Sequence, residues 1–234
     1  SGDSISFKNK YYGEYTFHYW IWKNNLINTE DKWIGFCQYR KFWSEHKYEN
    51  KNNYFNEFKN IVLDSITTNN ENYESIIGEP FFVNQFRFSK FIKHNFKTMA
   101  SNPALFFDEK KRNLKFHFDM MHGKGNLDRA IDLLDTNDQS SFRKFVNSEV
   151  SFNPHNMFIC KNKKILNSYY NCIFPWLQKC ENIFAFKNLK GYGLQRIYGF
   201  LAERFMSYWF QKNTNYKTMP IIFKDISDFN YKDL

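Results

Sequence analysis

Four short clusters of polar residues in this sequence contain side-chain types that can bind anions or transfer protons. They lie at residues 38–41, 117–125, 153–156 and 202–204. In open α/β sheets, ligands bind beyond the carboxyl ends of the strands, so polar residues that follow apolar runs are the first candidates. The sequence therefore predicts a functional site assembled from several separated segments.

The first cluster, residues 38–41, is Gln-Tyr-Arg-Lys and follows the apolar run 33–37, which indicates a buried strand. An arginine and a lysine at such a strand end can hold a diphosphate, and the guanidinium does so through two hydrogen bonds. An ordinary basic exit from a strand explains the same residues, so both interpretations stand.

The second cluster, residues 117–125, contains two histidines, an aspartate and two glycines, and its pattern predicts a loop. Glycines beside titratable groups suit a loop that closes on a ligand. His117 and Asp119 are also metal-ligand types, but no third ligand is evident. A general base at Asp119 or His122 is the favoured hypothesis for this cluster.

The remaining two clusters flank apolar segments. His155 and Asn156 precede an apolar run, where they can bond sugar hydroxyls or cap a turn, and the spacing favours the turn. Glu203 and Arg204 lie in the most apolar helical segment, where a charge must be paired or face a ligand. An internal ion pair is the simpler explanation of the second pair.

The elements that must position these clusters alternate between helices and strands, which predicts an α/β domain. Residues 84–113 are expected to form a helix and a surface loop, and Pro175 is expected to bend its helix. Apolar spacing predicts helices at 13–25, 54–66, 127–134, 139–150, 165–184 and 194–211, and strands at 33–37, 75–83, 157–160 and 219–223. The strand at 75–83 is expected to be broken by a turn at Gly78 and Pro80.

Composition excludes several classes of protein. Aromatic residues are 21% of the 234 residues, which excludes a disordered chain, and no apolar run approaches the length of a membrane span. The net charge of +9 favours polyanions, anionic lipids or diphosphates, or simply solvates the surface. Four cysteines without a CxxC pair or a secretory signal favour reduced thiols in the cytoplasm.

Four blocks of the sequence resemble, in order, the signature blocks of one family. They are SGDSIS with YWIWKN (residues 1–24), WIGFCQYRKF (33–42), HNMFI (155–159) and YGFLAERF (198–205). The family is that of bacterial galactofuranosyltransferases from capsule and O-antigen gene clusters, long catalogued as a domain of unknown function. Gln38 stands where the family usually has His, and Gly13 where it usually has Cys.

This resemblance implies a GT-A-like (Rossmann-like) α/β glycosyltransferase fold with a large helical C-terminal portion, and without the N-terminal strand unit of the family. It implies one domain over 1–234, with a donor-side part at 1–83, an acceptor-side insertion at 84–150 and C-terminal strand and helices at 151–234. The activity implied is inverting transfer of galactofuranose from UDP-galactofuranose to a capsule or lipopolysaccharide glycan.

The resemblance and the clusters together suggest roles for particular residues. No cofactor or metal is expected, because the sequence lacks an Asp-x-Asp pair and cations can hold the diphosphate instead. Asp119 is the first choice as base and Glu203 the second. The donor diphosphate would be bound by Arg40, Lys41, Arg204, Tyr39 and Gln38, and the sugars by Glu14, Asp3, His122, His155 and Asn156.

The expected partners are a nucleotide-sugar donor and a glycan acceptor that can be lipid-linked, with no nucleic acid. The protein is expected in the cytoplasm, with peripheral binding to the inner membrane because of its positive charge. The alternative is a non-catalytic glycan- or polyanion-binding module, which the excess of aromatic and basic residues would also support.

Overall fold

The computed structural model describes residues 2–47, 55–66, 72–85 and 108–228. The helices are α1 (Asn9–Tyr12), α2 (Tyr15–Lys23), α3 (Phe55–Ile61), α4 (Leu114–His122), α5 (Asn126–Ile131), α6 (Thr136–Ser148), α7 (Lys163–Phe184), α8 (Tyr192–Gln195) and α9 (Ile197–Asn213). The strands are β1 (Ile34–Gly35), β2 (Lys41–Trp43), β3 (Ser75–Gly78), β4 (Phe81–Phe82), β5 (Ser151–Phe152), β6 (Phe158–Cys160), β7 (Tyr216–Met219) and β8 (Ile221–Phe223). Short 3₁₀ turns lie at Ser6–Lys8, Glu109–Lys111 and Ile226–Asp228.

A mixed sheet lies at the centre, with strand order β1-β6-β3-β7. Strand β3 pairs in parallel with β7 and antiparallel with β6, which also pairs antiparallel with β1. Two further antiparallel pairs, β2–β8 and β4–β5, flank this sheet. The predicted mixture of strands and helices is therefore confirmed.

The main core packs helices α2, α7 and α9 against the sheet through aromatic side chains. Phe174 of α7 stacks on Trp22 of α2 with ring centroids 5.0 Å apart, and Phe210 of α9 meets Phe158 of β6 at 4.9 Å. Helix α9 buries residues on nearly all its sides, as expected of a helix inside a core. Its partly buried residues are therefore held on a rigid support.

The loop predicted around residues 117–125 is wrong, because most of it belongs to helix α4. The Asn113 side chain caps the helix by accepting a hydrogen bond from Phe116 N. Leu114, His117 and Phe118 are buried at helical spacing, so packing outweighs the glycines that follow. Those glycines, with positive φ at positions 123 and 125, instead end α4 and begin the turn to α5.

Other predicted elements are present with shorter or shifted bounds, as the ranges above show. Pro175 lies inside α7, which continues to Phe184. Most of the region 84–113, for which a helix and a loop are predicted, lies outside the described residues. The four cysteines are free thiols in the structure.

Candidate functional site

A cavity of about 480 Å³ opens between the turn that joins β1 to β2, the loop before β6 and the first half of α9. Its size falls in the range usual for small-ligand sites. The residues that line it are Glu14, Gln38, Tyr39, Arg40, Lys41, His155, Asn156, Tyr192, Arg196, Gly199, Phe200, Glu203 and Phe223.

One wall of the cavity is a tight hairpin turn. Gln38 and Lys41 exchange two backbone hydrogen bonds of 3.2 Å each, which leaves Tyr39 and Arg40 as a projecting two-residue loop. The Arg40 guanidinium lies 4.8 Å from the centre of the Tyr39 ring, and its Nε is 2.9 Å from Asp225 Oδ2. This turn therefore presents a cation at the cavity mouth.

Lys41 is the second cation of this wall, and it is half-buried. Pairing of β2 with β8 sets Lys41 opposite Phe223, and its ammonium lies 5.5 Å from the Phe223 ring centre. Burial lowers the pKa of Lys41, and the negative charges of Glu14 and Glu203 oppose that fall. The two carboxylates thus favour the charged ammonium inside the cavity.

Glu203 projects from α9 with only 12% of its side chain exposed. Its Oε1 accepts a hydrogen bond of 2.6 Å from His155 N, and its Oε2 accepts one of 2.5 Å from Arg204 Nη1. Burial raises the pKa of Glu203, Arg204 and the His155 N–H lower it, and Glu14 raises it further. A carboxylate with a raised pKa is suited to accept a proton near neutral pH.

Glu14 is the second carboxylate, and two partners hold it. Its Oε1 accepts a hydrogen bond of 2.7 Å from Asn156 Nδ2, and its Oε2 lies 3.6 Å from Arg196 Nη2. The preceding Gly13 has φ 59°, and a Cβ there would lie 2.3 Å from Arg196 Nη2. A glycine at position 13 is therefore what lets Arg196 reach Glu14.

His155 and Asn156 both adopt positive φ, 81° and 53°, which is uncommon for residues with a side chain. Glu203 holds the His155 N–H, and Gln38 Nε2 donates to His155 O at 2.5 Å. Such strained backbone persists where the surrounding contacts impose it, and it concentrates at functional sites. Burial, with help from Lys41, lowers the pKa of His155 to about 4, so its ring is neutral at pH 7.

Residues 1–214 match a known family, described as Domain of unknown function (DUF4422). The chain belongs to the DUF4422 family. Strand β8 and Asp225, which contribute Phe223 to the cavity and a partner to Arg40, lie beyond the matched residues. Part of this cavity is therefore built by a segment outside the match.

The DUF4422 chain also resembles a solved apo structure of WbbM, a bifunctional glycosyltransferase. The TM-score is 0.69 at 20% sequence identity, and the alignment covers 95% of this chain and 38% of that one. The DUF4422 chain thus spans well under half the length of that protein. The likeness confirms the predicted fold class, an α/β glycosyltransferase-like fold with a helical C-terminal portion. No curated protein matches the sequence.

The structure brings together most of the residues singled out from the sequence. Glu14 and members of three of the clusters line the same cavity, although they lie far apart along the chain. They are Glu14, Gln38, Tyr39, Arg40, Lys41, His155, Asn156 and Glu203.

Two predicted residues lie elsewhere on the DUF4422 chain. Asp119 projects from α4. Its Oδ2 forms an ion pair of 2.8 Å with Lys115, and its Oδ1 accepts a hydrogen bond of 3.0 Å from Gly125 N. Asp3 is near the N-terminus, and its backbone bonds the side chain of Asn24. Neither carboxylate lines the cavity.

Two others lie directly behind the cavity wall. Arg204 is 2% exposed, packs 3.8 Å from the centre of the Phe152 ring and places Nη2 3.2 Å from His117 Nδ1. His122 stacks under the ring of Phe200 at 4.0 Å. Both therefore support residues of the wall and do not themselves face the cavity.

Five lining residues had no place in the sequence-based site: Tyr192, Arg196, Gly199, Phe200 and Phe223. Arg196, Phe200 and Glu203 follow the i, i+4, i+7 spacing of one helix face, so a wheel drawn back from Glu203 would have found two of them. Phe223 has no such signal, because its position depends on the pairing of β8 with the distant β2.

Two absences apply to the described residues alone. Among them, no group of three or more His, Cys, Asp or Glu side chains is arranged to hold a metal ion. Within the same part of the chain, no helix is both long and apolar enough to cross a membrane.

Proposed function

We propose that this chain is an inverting glycosyltransferase that needs no metal ion and uses a UDP-sugar donor. The observation that carries the proposal is the cavity itself, where the largely buried Glu203 shares the space with Lys41 and Arg40. A carboxylate can take a proton from an acceptor hydroxyl, and the cations can stabilise a departing diphosphate. The likeness in fold to a glycosyltransferase supports the same reaction class.

In the proposed reaction, the acceptor hydroxyl oxygen attacks the anomeric carbon of the donor sugar and forms the new C–O bond. Its proton passes to the Glu203 carboxylate. The bond from the anomeric carbon to the diphosphate breaks on the opposite face, and UDP leaves with the bonding electrons. Lys41 and Arg40 stabilise the negative charge that develops on UDP. Attack from the face opposite the leaving group inverts the configuration.

The assignment of the base differs from the first choice made from sequence. Asp119 is engaged by Lys115 and Gly125 N away from the cavity, so we assign the base to Glu203. Glu14, His155 and Asn156 would orient sugar hydroxyls. Asn156 Oδ1 is buried without a hydrogen-bond partner among the described residues, and a ligand hydroxyl would satisfy it.

The finer features rest on the resemblance of the four sequence blocks. From it we propose a hexofuranosyl donor, most simply UDP-galactofuranose, and an acceptor in a bacterial capsule or lipopolysaccharide glycan. The single-domain organisation, the cytoplasmic site of action and peripheral docking to the inner membrane are part of the same proposal. Positive charge favours such docking to anionic lipids.

The direct test is a titration of the chain with UDP and UDP-galactofuranose, with and without EDTA. We expect saturable binding that EDTA leaves unchanged. Lys41→Met should weaken UDP binding by about tenfold or more, because it removes a half-buried cation from the diphosphate site. Lys144→Met is the matched control, since it removes an exposed lysine on α6. Absent binding, or equal loss in both variants, would contradict the proposal.

A second prediction concerns the ion pair at the cavity mouth. Asp225 holds Arg40 Nε at 2.9 Å and therefore competes with a bound phosphate. Asp225→Asn should tighten UDP binding by about two- to fivefold, a range typical of an exposed ion pair. Asp135→Asn removes the same charge from a 92% exposed residue that pairs with Lys179 on another surface, and should change nothing. Equal tightening in both variants would point to net charge alone.

The rival reading, a non-catalytic glycan- or polyanion-binding module, makes a different prediction. Polyanion binding weakens steeply with ionic strength, whereas a UDP-sugar site should discriminate among nucleotide sugars at constant salt. A carboxylate with a raised pKa inside the cavity favours the enzyme, because a polyanion site gains nothing from it.

A further inference from the structure

The helical wall of the cavity carries two aromatic residues beside the proposed base. Phe200 precedes Glu203 by three residues on α9, so the two lie on one face about 4.5 Å apart along the axis. Tyr192, the first residue of α8, meets Phe200 with ring centroids 5.8 Å apart. Phe200 and Tyr192 therefore form an aromatic surface directly beside Glu203.

Tyr192 is 67% exposed, yet its position is well defined. Arg196 Nη1 donates a hydrogen bond of 3.3 Å to its hydroxyl, and its ring meets that of Phe200 at an interplanar angle of 71°. A Cβ at Gly193 would lie 2.1 Å from Met121 O, so α8 presses directly on the end of α4. A large exposed ring held in this way is preorganised for a ligand.

Phe200 is supported from behind by a flat neutral ring. His122 stacks on it at 4.0 Å with an interplanar angle of 26°, and His122 Nδ1 is hydrogen-bonded to Gly193 O at 3.0 Å. Burial lowers the pKa of His122 to about 3, so its imidazole stays uncharged at neutral pH. The same histidine thus supports both the Phe200 ring and the backbone of α8.

The two walls of the cavity differ in the cations that they offer to a ligand. Arg40 and Lys41 lie on the hairpin wall, which suits the diphosphate. The cation of the helical wall, Arg196, is engaged by Glu14 and by the Tyr192 hydroxyl. What the helical wall offers is aromatic surface, because the exposed Tyr192 ring, set at 71° to Phe200, can pack against the C–H face of a sugar.

We infer that Tyr192 and Phe200 form the acceptor subsite, where the ring of a neutral acceptor sugar stacks while one of its hydroxyls reaches Glu203. This inference rests on the proposed function, since it uses Glu203 as the base. It adds a ligand class to residues outside the sequence-based site. Arg196 and His122 act as positioning residues for the two rings.

The test measures binding of methyl β-D-galactopyranoside and methyl β-D-galactofuranoside by saturation-transfer NMR, with and without UDP. We expect saturable binding of at least one glycoside to the wild type. Tyr192→Ala should weaken it about tenfold, the loss usual for one aromatic contact, and should leave UDP affinity unchanged. Tyr192→Phe keeps the ring and should stay within about twofold of wild type.

Tyr216→Ala is the matched control, because Tyr216 is a partly exposed tyrosine on β7 that does not line the cavity. Thermal melting of each variant shows whether it is folded. The inference is overturned if the wild type binds neither glycoside, if Tyr192→Ala binds as wild type, or if it loses UDP affinity equally. Failure of the proposed function has another signature: UDP does not bind, while glycoside binding and its dependence on Tyr192 persist.

Discussion

Replacing Glu203 by Gln should lower kcat about 10³-fold, within the range for loss of a general base, while UDP affinity stays within a few-fold of wild type. The amide has nearly the same shape but cannot take up the proton of the acceptor hydroxyl. Its single oxygen can serve only one of the two donors that now bond the carboxylate, His155 N and Arg204 Nη1. A modest fall in Tm should therefore accompany the kinetic loss.

The matched variant is Asp119→Asn, which tests the other candidate base with the same chemical change. Its carboxylate bonds Lys115 on α4 and Gly125 N in the turn that follows, so we expect kcat within about threefold of wild type. The comparison is made at saturating donor and acceptor, with release of UDP as the readout. A large loss in Asp119→Asn together with an active Glu203→Gln would return the base to Asp119.

The pH dependence of kcat provides a separate check on the same residue. The base must be deprotonated, so the rate falls as the pH drops through the pKa of Glu203, which burial raises above its ordinary value. His155 does not supply this limb, since its pKa of about 4 keeps it neutral at higher pH. Glu203→Gln should abolish the limb, and a limb that persists would belong to another group.

Local sequence signals singled out most residues of the candidate site because its parts adjoin apolar runs. The hairpin residues Arg40 and Lys41 come after the run that forms β1, and His155 and Asn156 come before β6. Helix α9 was evident from its apolar composition. Those signals identify the individual segments of the site. They do not predict the contacts between the segments, because these depend on strand pairing and packing between residues more than a hundred positions apart.

The errors have identifiable physical causes. The segment around Asp119 is predicted as a loop because two glycines follow it, yet a side-chain cap at Asn113 and three buried residues make it helical. Glu203 and Arg204 are both assigned roles at the ligand, although an internal ion pair also explains them, and the structure contains that ion pair. Consecutive residues on a helix point about 100° apart, so one faces the cavity and the other the core. That rule was available from the sequence, whereas the pairing of β8 with β2 was not.

Replacing Arg204 is expected to have a large effect on stability, because Arg204 is the buried partner of the proposed base. Arg204→Met should lower the free energy of unfolding by about 3–5 kcal/mol, since it leaves the Glu203 carboxylate buried without its counter-charge. Urea unfolding measures this directly. Arg143→Met, which removes a half-exposed arginine on α6 paired with Asp128 and Asp132, should lose far less.

The same variant should move the acidic limb of kcat to higher pH. Of the charged groups around Glu203, Arg204 and Lys41 lower its pKa and Glu14 raises it, so removing Arg204 leaves the carboxylate protonated to a higher pH. Activity lost at pH 7 should then partly return at higher pH, which a merely structural residue would not produce. Arg204→Lys keeps the charge and should hold the limb near its wild-type position.

Combining Arg204→Met with Glu203→Gln separates the electrostatic part of this effect from packing. If the loss in the single variant arises from an unpaired buried charge, removing that charge should restore part of the stability, and the two changes will not add. Additive losses would instead assign Arg204 to packing against Phe152 and Phe118. Non-additivity with a shifted limb would show that α9 carries the base on one face and the charge that tunes it on the next.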